Sequence, residues 1–314
     1  MTPLTPDAKV YVAGHRGLVG SALVRRLRHQ GFDNLLLRTR EELDLRDQAA
    51  TRRFFETHRP SFVFVAAAVV GGIEANRTMQ SRFLLDNLLI EANVIDAALG
   101  SGVEKLLLLG SSCVYPRLCP QPIAEEALLT GPLEATNEGY ALAKIAGLKL
   151  CEHLVRQEGR RFISAMPSNL YGPGDNFHPT HSHVVPGLMR RFHEARRRAD
   201  PAVTVWGSGT PLRELLHVDD LAEALVLLME RYEAPGHINV GSAHEIRIAD
   251  LARLVARIVG YEGEVRFDPS RPDGTPRKIL DVSRLAALGW RARTGLEQGL
   301  SGTYAWALEN GVLD

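Results

Sequence analysis

The sequence predicts an α/β protein: a doubly wound parallel sheet with a smaller C-terminal α/β lobe. Three features carry this expectation. The apolar run 9–13 meets a glycine-rich turn, 14–20, and then a helically spaced apolar segment from Ser21. Further short apolar runs at 35–37, 61–68, 106–109 and 163–166 alternate with helical segments, the rhythm of parallel strands joined by crossover helices. From Gly172 the rhythm loosens into a loop of Gly, Pro, Asp, Asn and His that runs to His183. The lobes are therefore expected at 1–171 and 172–314. Segments around 204–230 are expected to return to the first lobe, because 204–206 and 214–218 read as strands.

Length and composition set the frame. A chain of 314 residues can bury a large core in two lobes. With 45% apolar and 24% charged residues it reads as an ordinary soluble protein. Its formal net charge of zero gives no reason to expect a nucleic acid or a membrane surface as partner. The basic cluster Arg190, Arg191 and Arg196–Arg198 reads as a solvated helix face. No apolar run is long enough to span a bilayer, and residues 1–6 lack the basic and apolar regions of a signal peptide. Cys113, Cys119 and Cys151 form neither a metal-ligand pattern nor an even disulfide set, which points to a reducing, cytoplasmic setting.

The first strand and its turn have the context of a dinucleotide-phosphate loop. Gly14 lets the chain turn sharply, Gly17 lets backbone N–H groups approach a pyrophosphate, and Gly20 lets the helix pack on the strand. His15, Arg16, Leu18 and Val19 complete that loop, and the helix N-terminus behind it favours an anion. The plainer alternative is an ordinary tight turn. The second strand ends in Arg38-Thr39-Arg40, where an NAD-preferring fold usually places an acid for the ribose hydroxyls. Arginine suits a ribose 2′-phosphate instead. Arg40, with Arg16 from the loop, therefore favours NADP over NAD, against the alternative that both merely end a strand at the surface. Asp44 and Leu45 follow, suited to a contact near the adenine.

The third strand runs into Val69-Val70-Gly71-Gly72, small residues that let a cofactor lie close. A helical segment, 82–98, carries Asn87 and Asn93 within its apolar pattern. Ligands of such sheets sit beyond the carboxyl ends of the strands, which puts Leu109, Gly110, Ser111, Ser112 and Cys113 at the site edge. A proline-bearing loop, 116–132, then leads to a helix opening with Tyr140 and Lys144, one turn apart on one face. A phenol ordinarily titrates near 10, and a neighbouring ammonium and a cationic nicotinamide are expected to lower that value. With Ser111 bonding the same substrate oxygen, Tyr140 and Lys144 form a proton relay for carbonyl reduction. A surface ion pair is the alternative, made less favourable by the strand ending in Gly-Ser-Ser.

The segments 14–27, 36–45, 111–116, 140–144, 165–177 and 207–222 together resemble the extended short-chain dehydrogenase/reductases. Within them, Ser111–Pro116, Ser182–Pro186 and residues 272–278 resemble the enzymes that epimerise C3 and C5 and reduce C4 of GDP-4-keto-6-deoxy-D-mannose, and the likeness runs from about Lys9 to Asn310. Two departures occur: Val69 stands where that group often has Lys, and Gly139 where it often has Pro.

The resemblance implies an NADP-linked enzyme of a GDP-sugar, with Pro167, Ser168, Asn169 and Leu170 lining the nicotinamide and His183 near both cofactor and substrate. It implies Arg191 and Arg213 as partners of the two phosphates. Trp206 would stack on ribose or base, with core packing as the alternative. Asp273 would accept from sugar hydroxyls, with a plain turn role as the alternative. It also implies a homodimer, through a four-helix interface built from 82–98 and 140–155.

Cys113 and His183 are groups that a simple reductase does not need; a small buried Cys and a loop His are the alternatives, and the resemblance favours catalysis. Inverting C3 and C5 means removing a proton alpha to the ketone and returning one on the opposite face, which takes a base and an acid. Cys113, two residues from Ser111, is expected to point to the same side of an extended chain and to act as the base. His183, whose imidazole titrates in a range suited to returning a proton, is expected to be the returning acid.

Other functions of the same fold weigh less. Sugar-nucleotide dehydratases resemble each other in having Thr and an acidic pair where Ser112-Cys113 stand. C4-epimerases usually lack the Cys and favour NAD. A cofactor-sensing regulator would tend to have lost Tyr140 or Lys144. The C-terminal half is expected to hold a helix over 221–230 capped by Asp219 and Asp220, a strand at 238–240 and an amphipathic helix at 248–259.

Overall fold

The computed structural model describes residues 3–179, 181–271 and 273–314. Met1 and Thr2 of the N-terminal segment and Pro272 of the 272–278 motif lie outside the described residues.

The first half of the chain alternates as its apolar pattern dictates: β1 (Val10–Ala13), α1 (Leu18–His29), β2 (Leu35–Leu36), α2 (Gln48–His58), β3 (Phe62–Val65), α3 (Ile73–Thr78), α4 (Gln80–Ser101), β4 (Lys105–Leu109), α5 (Glu138–Glu158) and β5 (Arg161–Pro167). The second half comprises β6 (Asn169–Tyr171), α6 (Val184–Arg198), β7 (Ala202–Trp206), β8 (Leu212–His217), α7 (Val218–Arg231), β9 (His237–Val240), β10 (Glu245–Arg247), α8 (Ile248–Val259), β11 (Glu264–Asp268), β12 (Arg277–Lys278), α9 (Ser283–Ala287) and α10 (Leu296–Glu309).

Six strands form one parallel sheet in the order β2-β1-β3-β4-β5-β9. Both faces are covered, so the inner strands β1 and β3 are wholly apolar rather than alternating with polar residues, while the edge strand β9 carries the buried His237 and Asn239. Val10, Val12, Phe62, Phe64, Leu107 and Leu109 face α1 and α7. Tyr11, Ala13, Val63, Val65, Leu106 and Leu108 face the opposite layer, with Phe54, Phe55, Ile90 and Val94. A second apolar core lies outside the sheet, where Val185, Leu188, Met189 and Phe192 of α6 meet Leu251 and Val255 of α8 and Leu300 and Tyr304 of α10.

Two expectations are corrected here. The strands at 202–206 and 212–217 do not pair with the large sheet, though Leu216 of β8 and Val218 and Leu221 of α7 pack into its core as the expected return of 204–230 requires. β7 pairs with β11, and β8 pairs with β6, β10 and β12. The strand that joins the large sheet is β9, with α7 packed on α1. The physical reason is that β8 has already found parallel partners in β6 and β12, so the crossover helix α7 carries the chain on to the free side of β5. Asp219 and Asp220 do not cap α7 but lie in its first turn, where they suit the helix dipole. The cap is His217, which accepts from the Asp219 N–H at 3.3 Å. Asp220 accepts from the Arg293 and Thr294 N–H groups, fastening the segment before α10.

Candidate active site

The turn after β1 is built as a cradle. Gly14 has φ of +80°, and a Cβ there would lie 2.7 Å from the Ala67 nitrogen. A Cβ at Gly20 would lie 2.1 Å from the Gly14 carbonyl oxygen, so the start of α1 closes directly onto the turn. Gly17 is the N-cap of α1 and offers no side-chain cap, which leaves the first-turn N–H groups of Leu18, Val19 and Gly20 for an anion. His15 Nδ1 is buried there without a hydrogen-bond partner among the described residues, and Arg16 is exposed at the rim. Arg40 is also exposed, and both guanidinium groups act on Glu41. The sequence reading thus found two cations that the fold brings together, and missed the acids Glu41 and Glu42 beside them. The Asp44 carboxylate is held by Arg46 at 2.5 and 2.9 Å, and Leu45 is buried with its carbonyl accepting from Asn93.

At the carboxyl end of β4 the chain passes through Gly110, where a Cβ would strike Met166 at 2.7 Å, and then turns. Residues 112–114 form a single 3-10 turn, not an extended run, so the expected alternation of Ser111 and Cys113 does not hold. The turn itself brings the two together, for the Cys113 N–H donates to Ser111 Oγ at 3.3 Å. Lys278 of β12 donates to Cys113 Sγ at 3.7 Å. Cys113 and Lys278 line a cleft with Arg117, Gln121, Thr275 and Arg277.

α5 presents Tyr140 and Lys144 to this turn. Lys144 is 2% exposed, donates to the Leu109 carbonyl at 2.9 Å and lies 5.9 Å from the centre of the Tyr140 ring. Tyr140 bonds Ser111, and its hydroxyl is pushed up to about 12 by burial, with Cys113 and Glu91 adding to the rise. Lys144 and the Ser111 bond pull it down without prevailing. The expected lowering is therefore reversed, because burial opposes the phenolate more strongly than one ammonium favours it. A phenol held protonated is suited to give a proton rather than take one. Gly139 also explains its departure from Pro: its N–H donates to Gln80 Oε1, and a Cβ there would lie 2.5 Å from the Gln80 carbonyl oxygen.

Beyond β5, Ser168 donates its N–H to Val240, while its buried hydroxyl has no partner among the described residues. Asn169 gives its amide N–H to the Glu214 carbonyl, which leaves its own side-chain oxygen for a ligand. His183 is the N-cap of α6, on a loop whose Ser182 carbonyl approaches the backbone at Gly72. It is solvent-exposed yet walled on most sides, and the loss of hydration lowers its imidazole below the usual histidine range.

The four expected substrate residues lie together on neighbouring elements. Arg191 donates to the Thr204 carbonyl of β7 at 3.0 Å. Trp206 ends β7 at 61% exposure, which removes the core-packing alternative, and Arg271 lies over its ring at 5.2 Å. Asp273 accepts from the N–H and hydroxyl of Ser208 at 2.7 and 2.8 Å, so it does order a turn, and its carbonyl accepts from Arg213. Desolvation lowers both Arg191 and Arg213, the cost of holding cations in a partly enclosed place.

Of two polar residues buried on α4, sequence reasoning noted Asn87 without giving it a role and missed Glu91. Asn87 bonds both backbone groups of Val69 in the loop after β3, and Glu91 pairs with Lys144 at 2.7 Å. The available signal was Asn87 and Glu91 spaced i, i+4 on a helix otherwise apolar on that face.

The model of the NAD dependent epimerase/dehydratase family matches residues 10–241. The chain is 58% identical over 309 residues to putative GDP-L-fucose synthase 2 of Arabidopsis thaliana, covering 98% of this chain and 94% of that protein. It is 55% identical over 311 residues to GDP-L-fucose synthase of Escherichia coli (strain K12), covering 96% and 97%. Among solved structures, it is similar to a GDP-L-fucose synthetase from Naegleria fowleri bound to NADP, with a TM-score of 0.91 and 31% identity over 99% of this chain and 97% of that one.

Proposed function

The chain belongs to the NAD dependent epimerase/dehydratase family, and from that membership we propose that it is an NADPH-dependent epimerase and reductase that converts GDP-4-keto-6-deoxy-D-mannose to GDP-L-fucose. The observation that carries this reading is Cys113, held beside the Ser111–Tyr140 pair by a 3-10 turn and paired with Lys278. A reductase alone has no use for a thiol there.

The residues suit NADP: a glycine cradle closed against α1, Arg16 and Arg40 at its rim, and the partnerless His15 Nδ1 and Ser168 Oγ. Bound there, the reduced cofactor supplies the hydride for C4. Tyr140 gives its proton to the C4 oxygen as that oxygen gains charge, and Ser111 steadies the same oxygen by hydrogen bonding. Lys144 offsets the charge left on Tyr140 and reaches the nicotinamide ribose, while the backbone of Pro167–Leu170 and Asn169 hold the carboxamide. Before reduction, Cys113 removes the proton at C3 or C5 and His183 returns one on the opposite face. The Lys278 ammonium compensates the charge of the thiolate. Arg191 and Arg213 take the two phosphates, Trp206 stacks on the nucleoside, and Asp273 orders the loop beneath them.

The second apolar core forms the substrate lobe. Two copies pair through α4 and α5, where Leu85, Leu89, Leu142 and Leu150 stand exposed. No helix among the described residues is long and apolar enough to cross a membrane. A cytoplasmic location accords with Cys113, Cys119 and Cys151 all being free thiols.

The deciding assay follows loss of reduced nicotinamide with GDP-4-keto-6-deoxy-mannose as substrate. Tyr140→Phe should lower turnover by about 10²–10⁴-fold, the usual contribution of a general acid, with NADPH affinity kept. Near-normal turnover in that variant, or no turnover in the wild type, overturns the reading.

A further inference from the structure

Lys144 and Glu91 meet in a place with almost no water. Both are 2% exposed, and Nζ lies 2.7 Å from Glu91 Oε1. Among the described residues, Lys144 is the only hydrogen-bonding partner that reaches the Glu91 carboxylate. The second oxygen, Oε2, sits over Gly147 of α5, where a Cβ would come within 2.1 Å of it and 2.9 Å of its Cδ. α5 thus keeps a gap one methyl group wide for an acid on α4. A structural ion pair is seldom worth its desolvation in such a place, for burying both charges costs several kcal/mol before the pair returns anything. The arrangement calls for a role beyond stability.

We propose that Glu91 is a positioning residue that raises the proton affinity of the Tyr140–Lys144 pair, keeping it as phenol plus ammonium at neutral pH, the form that donates in carbonyl reduction. This rests on the reading of Tyr140 as proton donor. Tyr140 and Lys144 are close enough to titrate as a unit, so their protons leave in macroscopic steps that belong to the pair. Any negative charge beside the pair makes the first of those steps harder. The surroundings name few other contributors. From the turn after β4 come the Ser111 hydroxyl and the Cys113 thiol, from β4 the Leu109 carbonyl, and from α4 only Glu91. The Cys151 thiol of α5 faces Glu91 from behind and is pushed up to about 12 by its burial. Glu91 acts on both members in one direction, raising Lys144 through the ion pair and Tyr140 through its field. Without it, burial alone would favour loss of the Lys144 proton.

The test titrates the free enzyme by carbon NMR, labelled at tyrosine Cζ and lysine Cε. The chain has only 7 Tyr and 5 Lys, so Tyr140→Phe and Lys144→Met assign the two signals. In the wild type the pair should lose no proton below about pH 9, and a first step near pH 7–8 overturns the proposal by itself. Glu91→Gln, of equal shape, should lower that first step by about one unit or more, as removal of a charge at this range does. Gly147→Ala keeps every charge but takes the space of the carboxylate, and should move the step the same way by less. An unmoved first step in whichever of these variants folds overturns the proposal. The pH profile of reduction separates the two readings. If Tyr140→Phe still turns over, the proton-donor assignment fails. If Tyr140→Phe is inactive and the basic limb of Glu91→Gln coincides with wild type, only the role of Glu91 fails.

Discussion

Asn87 holds Val69 by both ends of its carboxamide, accepting the Val69 N–H at 2.8 Å and donating to the Val69 carbonyl at 3.0 Å. Asn87 is fully buried, and the loop it grips follows β3 at the edge where the dinucleotide is expected. Replacing it with Leu keeps the volume and leaves two backbone groups without partners, at about 2 kcal/mol. Asn87→Leu should therefore lower stability in urea by about that amount and weaken NADPH binding, read by fluorescence titration. Unchanged affinity would mean the loop is held by its glycines alone.

Cofactor choice should follow Arg16 and Arg40. Both are exposed at the mouth of the glycine cradle and both act on Glu41. A phosphate placed between them gains charge-assisted hydrogen bonds worth about 1.5–3 kcal/mol each, which NADH cannot make. Arg40→Ala should weaken NADPH at least about tenfold and leave NADH unchanged. Equal affinity of the wild type for the two cofactors would remove the assignment.

His237 should carry part of the acid sensitivity of the fold. It is buried beside Tyr115, its Nε2 lying 2.9 Å from the Tyr115 hydroxyl, and burial lowers it from 6.5 to about 4. The folded state keeps the imidazole neutral while the unfolded chain takes up a proton first. Its contribution is therefore complete above pH 6.5 and is lost as the pH falls towards 4, up to about 3 kcal/mol. His237→Gln should flatten the stability curve across that window. An identical pH dependence in the variant would place the sensitivity in other groups.

The large sheet was legible because its signals are local. Residues 10–13, 62–65 and 106–109 are continuous apolar runs, residues 161–167 are interrupted only by Arg161 and Ser164, and the turn from Gly14 to Gly20 needs only its glycines to be recognised. The partners of β8 were not legible, because a six-residue strand does not say which strands will flank it. The same holds for the turn at 112–114, too short for any period to mark. Tyr140 and Lys144 declared themselves by spacing, but the rise of the Tyr140 hydroxyl depends on burial, which a sequence does not print. Glu91 was the least visible, since an acid within a helix reads as solvated until α5 is seen to cover it.

Epimerisation should depend on groups that reduction does not need. Cys113 receives a hydrogen bond from Lys278, and His183 stands at the start of α6 with its imidazole lowered by burial. If Cys113 takes the proton from the carbon alpha to the ketone and His183 returns one, deuterium from heavy water should enter C3 and C5 of the substrate without NADPH. Cys113→Ser and His183→Gln should each slow that uptake by about 10²-fold or more while some hydride transfer remains. Lys278→Met should slow uptake less, because it removes only the charge that compensates the thiolate. The pH dependence follows from the sign of the His183 shift. Imidazolium is the form that returns the proton, and a lowered imidazole loses it earlier as pH rises, so this contribution to uptake should already decline below pH 6.5. Label entering both carbons at the wild-type rate in Cys113→Ser and His183→Gln alike would show that the proton-transfer groups lie elsewhere.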